Sequence, residues 1–293
     1  LFRSKGKLID QNVKKLLLMM GPLLVGHAMV FINQQVDKVI VSGLEEGTVT
    51  AMGYASVLSN FICTFIGSIA GVLFTYITQR IVEKNDEAAA NLTTKSIIIL
   101  ITLLLPISML TMANAKDIVQ IVFGRGRFDT NAIGICSYAL IGYGLMFVPY
   151  VLREVFSRVQ YAYGDSKRPM INSSIAIIIN IVLSVVLSRI IGVLGVTLAT
   201  TASVLVCAVL NVFSSRQKNR FLAFRAYAKY LPQWGIGAAV CILLSWISNS
   251  VISNWHPLLR FCLTSAASFM VYFIITFSII KPYIAKFILK HRG

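Results

Sequence analysis

Residues 13–43 read "VKKLLLMMGPLLVGHAMVFINQQVDKVIVSG", and the fold turns on how this run is read. Up to Val30 it is almost unbroken apolar sequence, long enough as a helix to enter the roughly 30 Å hydrocarbon layer of a bilayer. Asn33, Gln34, Gln35, Asp37 and Lys38 then arrive within six positions. Two readings of this polar block are open. Either it marks the outer interface of a spanning helix, or it faces a water-filled cavity between helices, because ionisable groups inside a membrane serve pathways or pair with partners. Residues four apart share a helix face. Asn33 with Asp37 therefore forms an oxygen-rich stripe, and Gln34 with Lys38 a cation-bearing one beside it.

The rest of the chain decides for a membrane. Its 293 residues are 57% hydrophobic and 13% charged, with a mean hydropathy of +0.77, outside the range of soluble domains. Eight apolar segments, roughly 16–43, 52–79, 95–114, 132–158, 170–189, 193–213, 231–250 and 259–280, are each long enough to cross. They predict an all-α, polytopic membrane protein with eight transmembrane helices. Residues 1–215 are expected to form a six-helix transporter lobe, and 216–293 an amphipathic linker and a final helix pair. Long solid runs do not suit a β-barrel, whose strands alternate, and lipid offers an open backbone no hydrogen-bond partners.

The net charge of +16 is a topology signal. Of the 27 Lys and Arg, only Lys38, Lys116, Arg125, Arg127, Arg189 and Arg260 fall outside the side that carries the termini. The positive-inside rule then puts both ends of the chain in the cytoplasm. The basic excess is expected to attract anionic membrane lipids, and no nucleic-acid partner is expected. The connector "SSRQKNRFLAFRAYAKYLP", residues 214–232, is basic and aromatic and suits the inner membrane surface.

Catalytic patterns are missing. The three histidines, His27, His256 and His291, are scattered, and neither Glu45–Glu46 nor Asp86–Glu87 has a partner motif. The chain is expected not to be an enzyme. Cys63, Cys136, Cys207, Cys241 and Cys262 all lie in apolar segments without close pairing and read as small buried hydrophobes. The chain opens without Met and without a signal peptide, which predicts the later part of a longer protein.

Local signals place several turns. In "NAKDIVQIVFGRGRFDTNAIG", residues 114–134, the spacing of Ile118, Ile121 and Val122 predicts a short interfacial helix before the Gly124–Gly126 turn. In "QYAYGDSKRPM", residues 160–170, Gly164 can end one helix, Asp165 or Ser166 cap the next, and Pro169 sit in its first turn. Pro22, Pro106 and Pro149 lie inside spans and are expected to kink them.

Two polar sets stand out. Asn180 and Ser184 are four apart, and Thr197, Thr200 and Thr201 follow in the next span. Asp37, Asn180 and Thr200, helped by the Val196 carbonyl, offer hard oxygen ligands for a small cation; ordinary interhelical hydrogen bonding is the alternative. Arg153, Glu154 and Arg158 close the fourth span, with Glu154 and Arg158 spaced to pair. Arg158 either anchors to headgroups or meets a diphosphate entering from the cytoplasm.

Four runs carry a family resemblance. "VDKVIVSGLEEGTVTAMGYASVL" (36–58), "IVFGRGRFD" (121–129), "RVQYAYGDSKRPM" (158–170) and "INIVLSVVLSRIIGVLGVTLATTAS" (179–203) resemble, in order, successive regions of the MurJ (MviN) family of lipid II flippases. The likeness covers about residues 10–215; the last two helices agree in number and placement. It implies two six-helix lobes plus a final pair, of which this chain would be the second lobe and that pair, working with an N-terminal lobe. It further implies a bacterial inner-membrane flippase that moves undecaprenyl-diphosphate-linked precursor outward by alternating access. A possible Na+ site is implied at Asp37, Asn180, Val196 and Thr200, with Ser184 where the family can have a carboxylate; no other cofactor is expected. Asn33, Gln34, Lys38, Arg153 and Arg158 are the candidates for the cargo cavity. One departure is sharp. The family's eighth helix opens "YADRL", where this chain has "YASVL", so Ser56 and Val57 replace an Asp and an Arg. Lys38 then compensates, or the cargo is another lipid-linked saccharide. A cation-coupled drug exporter of the same superfamily and a scaffold of envelope synthesis are the rival readings.

Overall fold

A computed structural model describes residues 11–126, 128–222, 225–252 and 255–290. The basic approach at 1–10, Arg127 and His291 lie outside them. Every regular element among these residues is a helix: α1 (Gln11–Ser42), α2 (Thr48–Val82), α3 (Asp86–Ala113), α4 (Ala115–Phe123), α5 (Thr130–Ala162), α6 (Lys167–Lys218), α7 (Arg225–Ala228), α8 (Leu231–Val251) and α9 (Pro257–Lys290). By length and composition α2, α3, α5, α6, α8 and α9 can each cross a membrane. The expected count of eight treats α1 as a span and α6 as two.

α6 earns that division. It runs for 52 residues but breaks at Ile191 (φ −132°, ψ 22°) and Gly192 (φ 60°, ψ −138°), the latter a conformation that side chains do not tolerate. The break folds the second half of α6 back on the first. At Gly195 a Cβ would sit 2.2 Å from the Leu187 carbonyl oxygen, so only a residue without a side chain allows this approach. Gly195→Ala is therefore expected to destabilise the protein by about 1–3 kcal/mol through overpacking. Gly71→Ala, where a Cβ meets nothing within 4 Å, should stay near neutral in the same detergent melting experiment.

Local chemistry sets the other ends. Asn85 caps α3, its side chain accepting from the Ala88 N–H at 2.9 Å. The helix consequently starts at Asp86, nine residues before the expected span at 95, and Asp86–Glu87 become its first turn. The Gly164 turn (φ 74°) precedes α6, and it is Asp165, not the N-cap residue Ser166, that accepts from the Arg168 N–H at 3.1 Å. Burial alone would raise the Asp165 carboxyl, but that N–H together with the Lys218 ammonium holds it below the usual carboxylate range. α3 and α5 continue through Pro106 and Pro149 as single helices, and the backbone break lies at Gly192 instead. α4 forms before the Gly124 turn, but it buries Ala115, Asp117 and Val119 while Val122 stays exposed. It packs against α5 and α9.

α5 is the central element, packing on α6, α2, α3 and α4. One apolar core joins Val41, Met52, Leu140, Phe147 and Val196. A second joins Ile66, Ile97, Leu104, Val155 and Phe156 with Trp234 and Ile279 of the last two helices. A buried polar network holds α5 to both halves of α6: Asn211 accepts from Asn172 Nδ2 at 2.8 Å and from Gln160 Nε2 at 3.3 Å, and donates to Ser157 Oγ at 2.8 Å. The final pair packs on α3, where Trp234 Nε1 donates to Thr102 Oγ1 at 2.9 Å. The Arg260 guanidinium engages both oxygens of the buried Asp117 carboxylate, Nε donating to Oδ2 at 2.7 Å and one terminal nitrogen to Oδ1. Cys63, Cys136, Cys207 and Cys241 are buried as expected; Cys262 is exposed.

Candidate functional site

α1, α2, α5 and α6 enclose a cavity of about 330 Å3. Its wall is made by side chains at helical spacing on each element. Asn33, Gln34, Asp37 and Lys38 come from α1, Ser56, Ser59, Asn60 and Cys63 from α2, Tyr143, Met146, Tyr150 and Arg153 from α5, and Ser173, Thr200, Ser203 and Cys207 from α6. Both polar stripes of α1 thus reach one chamber. Asp37 is 5% exposed and turned against α6.

The Asp37 carboxylate is the centre of a connected set. Ser184 Oγ donates to its Oδ1 at 3.2 Å and Asn33 Nδ2 to its Oδ2 at 3.4 Å. Asn180 lies beside both. With its nitrogen toward α1 it donates to Asn33 Oδ1 at 3.0 Å and to Asp37 Oδ1 at 3.2 Å, while its oxygen accepts from Thr200 Oγ1 at 3.2 Å and the Thr200 N–H at 3.0 Å. This orientation satisfies both ends of the amide. The one Thr200 hydroxyl hydrogen is shared between that amide oxygen and the Val196 carbonyl, 3.1 Å from Thr200 Oγ1. Asp37, Asn180, Ser184, Val196 and Thr200 are therefore brought together, although α1 and α6 are 147 residues apart at the Asp37–Ser184 bond. Asp37 is met here by three donors, Ser184 Oγ, Asn33 Nδ2 and the Asn180 nitrogen; the same side chains also carry the oxygens that, beside one carboxylate, a small hard cation takes.

The cationic candidates separate. Lys38 and Arg153 line the cavity, and the Arg153 guanidinium lies 5.2 Å from the centre of the Tyr150 ring. No ion pair among the described residues includes Arg153. Arg158 is not among the lining residues; it bonds Glu154 Oε1 at 2.8 and 3.1 Å, as the spacing on α5 dictates. At the departure from the family pattern, Ser56 lines the cavity while Val57 is 61% exposed and does not. Sequence reasoning missed Asn60, Tyr143 and Tyr150. The repeat Tyr143–Met146–Tyr150 at three and four residues was the available signal, hidden inside an apolar run.

The model of the family described as "Lipid II flippase MurJ" matches residues 1–266. This chain belongs to the MurJ family. Among its relatives, the probable lipid II flippase MurJ of Rhizobium tropici is 26% identical over 85% of this chain and 46% of its own length. That of Rhizobium meliloti is 26% identical over 92% and 52%, and that of Vibrio cholerae 28% identical over 69% and 39%. The chain spans about half the length of the curated MurJ relatives it matches. In fold it is similar to lipid II flippase MurJ in an inward closed conformation, with a TM-score of 0.73 at 19% identity over 96% of this chain and 57% of that one. An outward-facing multidrug resistance MATE transporter gives 0.62 at 17% identity over 93% and 71%. The MurJ-family chain is thus an all-helical, multi-pass membrane protein with a transporter fold.

Proposed function

We propose that the chain is the second six-helix lobe, 1–215, and the appended helix pair, 216–293, of a flippase that moves undecaprenyl-diphosphate-linked peptidoglycan precursor (lipid II) from the inner to the outer leaflet of the bacterial inner membrane. Both ends of the chain lie in the cytoplasm on this reading. The observation that carries it, beside family membership, is a polar chamber inside an apolar bundle in which Arg153 and Lys38 face the same space. Guanidinium and ammonium groups supply charge-assisted bonds to a diphosphate, while the polyprenyl tail remains in lipid. Binding and alternating access do the work, not covalent chemistry.

Na+ would be held by Asp37, Asn180, Ser184, Thr200 and the Val196 carbonyl. Once bound, it supplies a counter-charge for Asp37 in a low-dielectric site. Moving a unit charge through 100 mV is worth about 2.3 kcal/mol, enough to bias one step of the cycle. A second reading is favoured by Val57: without the family's Arg, the cargo is a different lipid-linked oligosaccharide.

The test uses the whole coding sequence that contains this chain, in cells depleted of their own flippase. If the proposal holds, lipid II becomes cleavable by an enzyme confined to the outside of the inner membrane. Good expression without cleavable lipid II sinks the lipid II reading and leaves the other saccharide carriers. Arg153→Ala is expected to lower the signal about ten-fold or more, the loss of one charged hydrogen bond of about 1.5–3 kcal/mol; Arg158→Ala, outside the cavity, should change it less.

A further inference from the structure

A second cavity, of about 810 Å3, lies where the α1–α2 turn, the start of α5 and the break in α6 meet. It shares no lining residue with the central chamber of about 330 Å3. The turn contributes Glu45, α5 contributes Asn131, Gly134 and Tyr138, and the broken helix contributes Ile191 and Val193. The three α5 residues share one face because they are three and four positions apart. The walls are chiefly apolar, and Glu45 brings the one charge among the lining residues. That charge is negative in a chain of net charge +16. No ion pair among the described residues includes Glu45. The Tyr138 ring is 58% exposed, and a Cβ at Gly134 would meet nothing within 4 Å, so the space beside this face of α5 is open.

Each feature selects a ligand. A cavity of about 300–1,000 Å3 holds a molecule of drug size, and apolar walls favour an apolar body. A carboxylate without a protein cation calls for a positive charge, and the face of an aromatic ring attracts organic cations such as quaternary ammonium groups. A bare metal ion needs a shell of oxygens, which walls of this kind do not supply. We propose that this cavity binds a free amphiphilic organic cation, its charge beside Glu45 and Tyr138 and its apolar body against Ile191 and Val193. The site depends neither on the cargo of the central chamber nor on Asp37. Its occupant joins the α1–α2 turn to α5 and α6, and by binding the folded state it stabilises the protein.

The probe is tetraphenylphosphonium, an apolar cation, and its Kd for the purified full-length protein in non-ionic detergent is measured by equilibrium dialysis. The wild type is expected to bind it saturably. Glu45→Gln keeps the shape of the site and should weaken binding about ten-fold, and Tyr138→Leu about three-fold or more. Gly134→Leu should abolish it by filling the cavity, while melting without the probe stays near wild type, because the side chain enters open space and Leu suits a helix better than Gly. Glu46→Gln, outside the lining, should bind as the wild type does. A wild type without saturable binding overturns the proposal. Full binding in Gly134→Leu does so too, since it places the probe elsewhere. Loss in Gly134→Leu with full binding in Glu45→Gln would make this an apolar pocket indifferent to charge. The comparison of Glu45→Gln with Glu46→Gln needs no folded Gly134→Leu: equal binding by the two overturns the proposal by itself.

Discussion

Asp37→Asn should abolish Na+-dependent stabilisation and, in the whole flippase, the appearance of cleavable lipid II. The carboxylate is 5% exposed and is the only charged member of the set formed with Asn33, Asn180, Ser184 and Thr200. Removing one member of a buried charge pair costs about 3–5 kcal/mol, so the half-saturating Na+ should rise on the order of 100-fold or more. The fold pays less. Asn offers one acceptor oxygen where Asp37 offers two, so one of the donors from Asn33, Asn180 and Ser184 meets an NH2 group, a loss of about 1–3 kcal/mol. Melting in choline separates this structural loss from the loss of cation response. An Asp37 that merely marked an interface would tolerate the change within about 0.5 kcal/mol, and intact Na+ stabilisation in Asp37→Asn would remove the proposed site.

The second large effect lies between α4 and α9. Asp117 is 3% exposed and its partner Arg260 16% by side chain, and both guanidinium nitrogens in the pair engage the carboxylate. Asp117→Ala leaves Arg260 without its carboxylate, and Arg260→Ala leaves a buried acid without its cation; each should cost about 3–5 kcal/mol. Joint replacement by Leu at both positions should recover most of the loss, because an apolar pair of similar volume carries no desolvation penalty. A double-mutant cycle on melting temperature gives the coupling directly. Additive single and double effects would mean that the pair does not hold the last two helices to the lobe.

Much of the architecture was legible from hydropathy and local spacing. The apolar runs anticipated the helical membrane class, because a backbone in lipid must satisfy its hydrogen bonds within the segment. The Gly164 turn, the short helix before Gly124 and the Glu154–Arg158 pair rest on contacts within four residues, and such contacts are written in the sequence. The start of α3 was missed because one Asn85 side chain can lengthen a helix into what composition reads as a loop.

The face of α1 was not legible, and the candidate site depends on it. At about 100° per residue, positions 33, 34, 35, 37 and 38 spread over more than half of the helix circumference, so no periodicity could choose among them. Packing chose: Val41 and Asp37 are buried, with Asp37 turned onto Ser184 and Asn180 of α6, which leaves Gln34 and Lys38 to the chamber. The same long-range packing pairs Asp117 with Arg260 across 143 residues, places Arg153 in the cavity and keeps Arg158 out of it. The sequence by itself determined that these helices lie in a membrane and placed several of the turns between them, since those follow from solvation and local hydrogen bonds. Tertiary structure alone decided which polar side chains share a site, because that depends on the rotation of each helix about its axis, and only contacts between distant segments hold a helix at one angle.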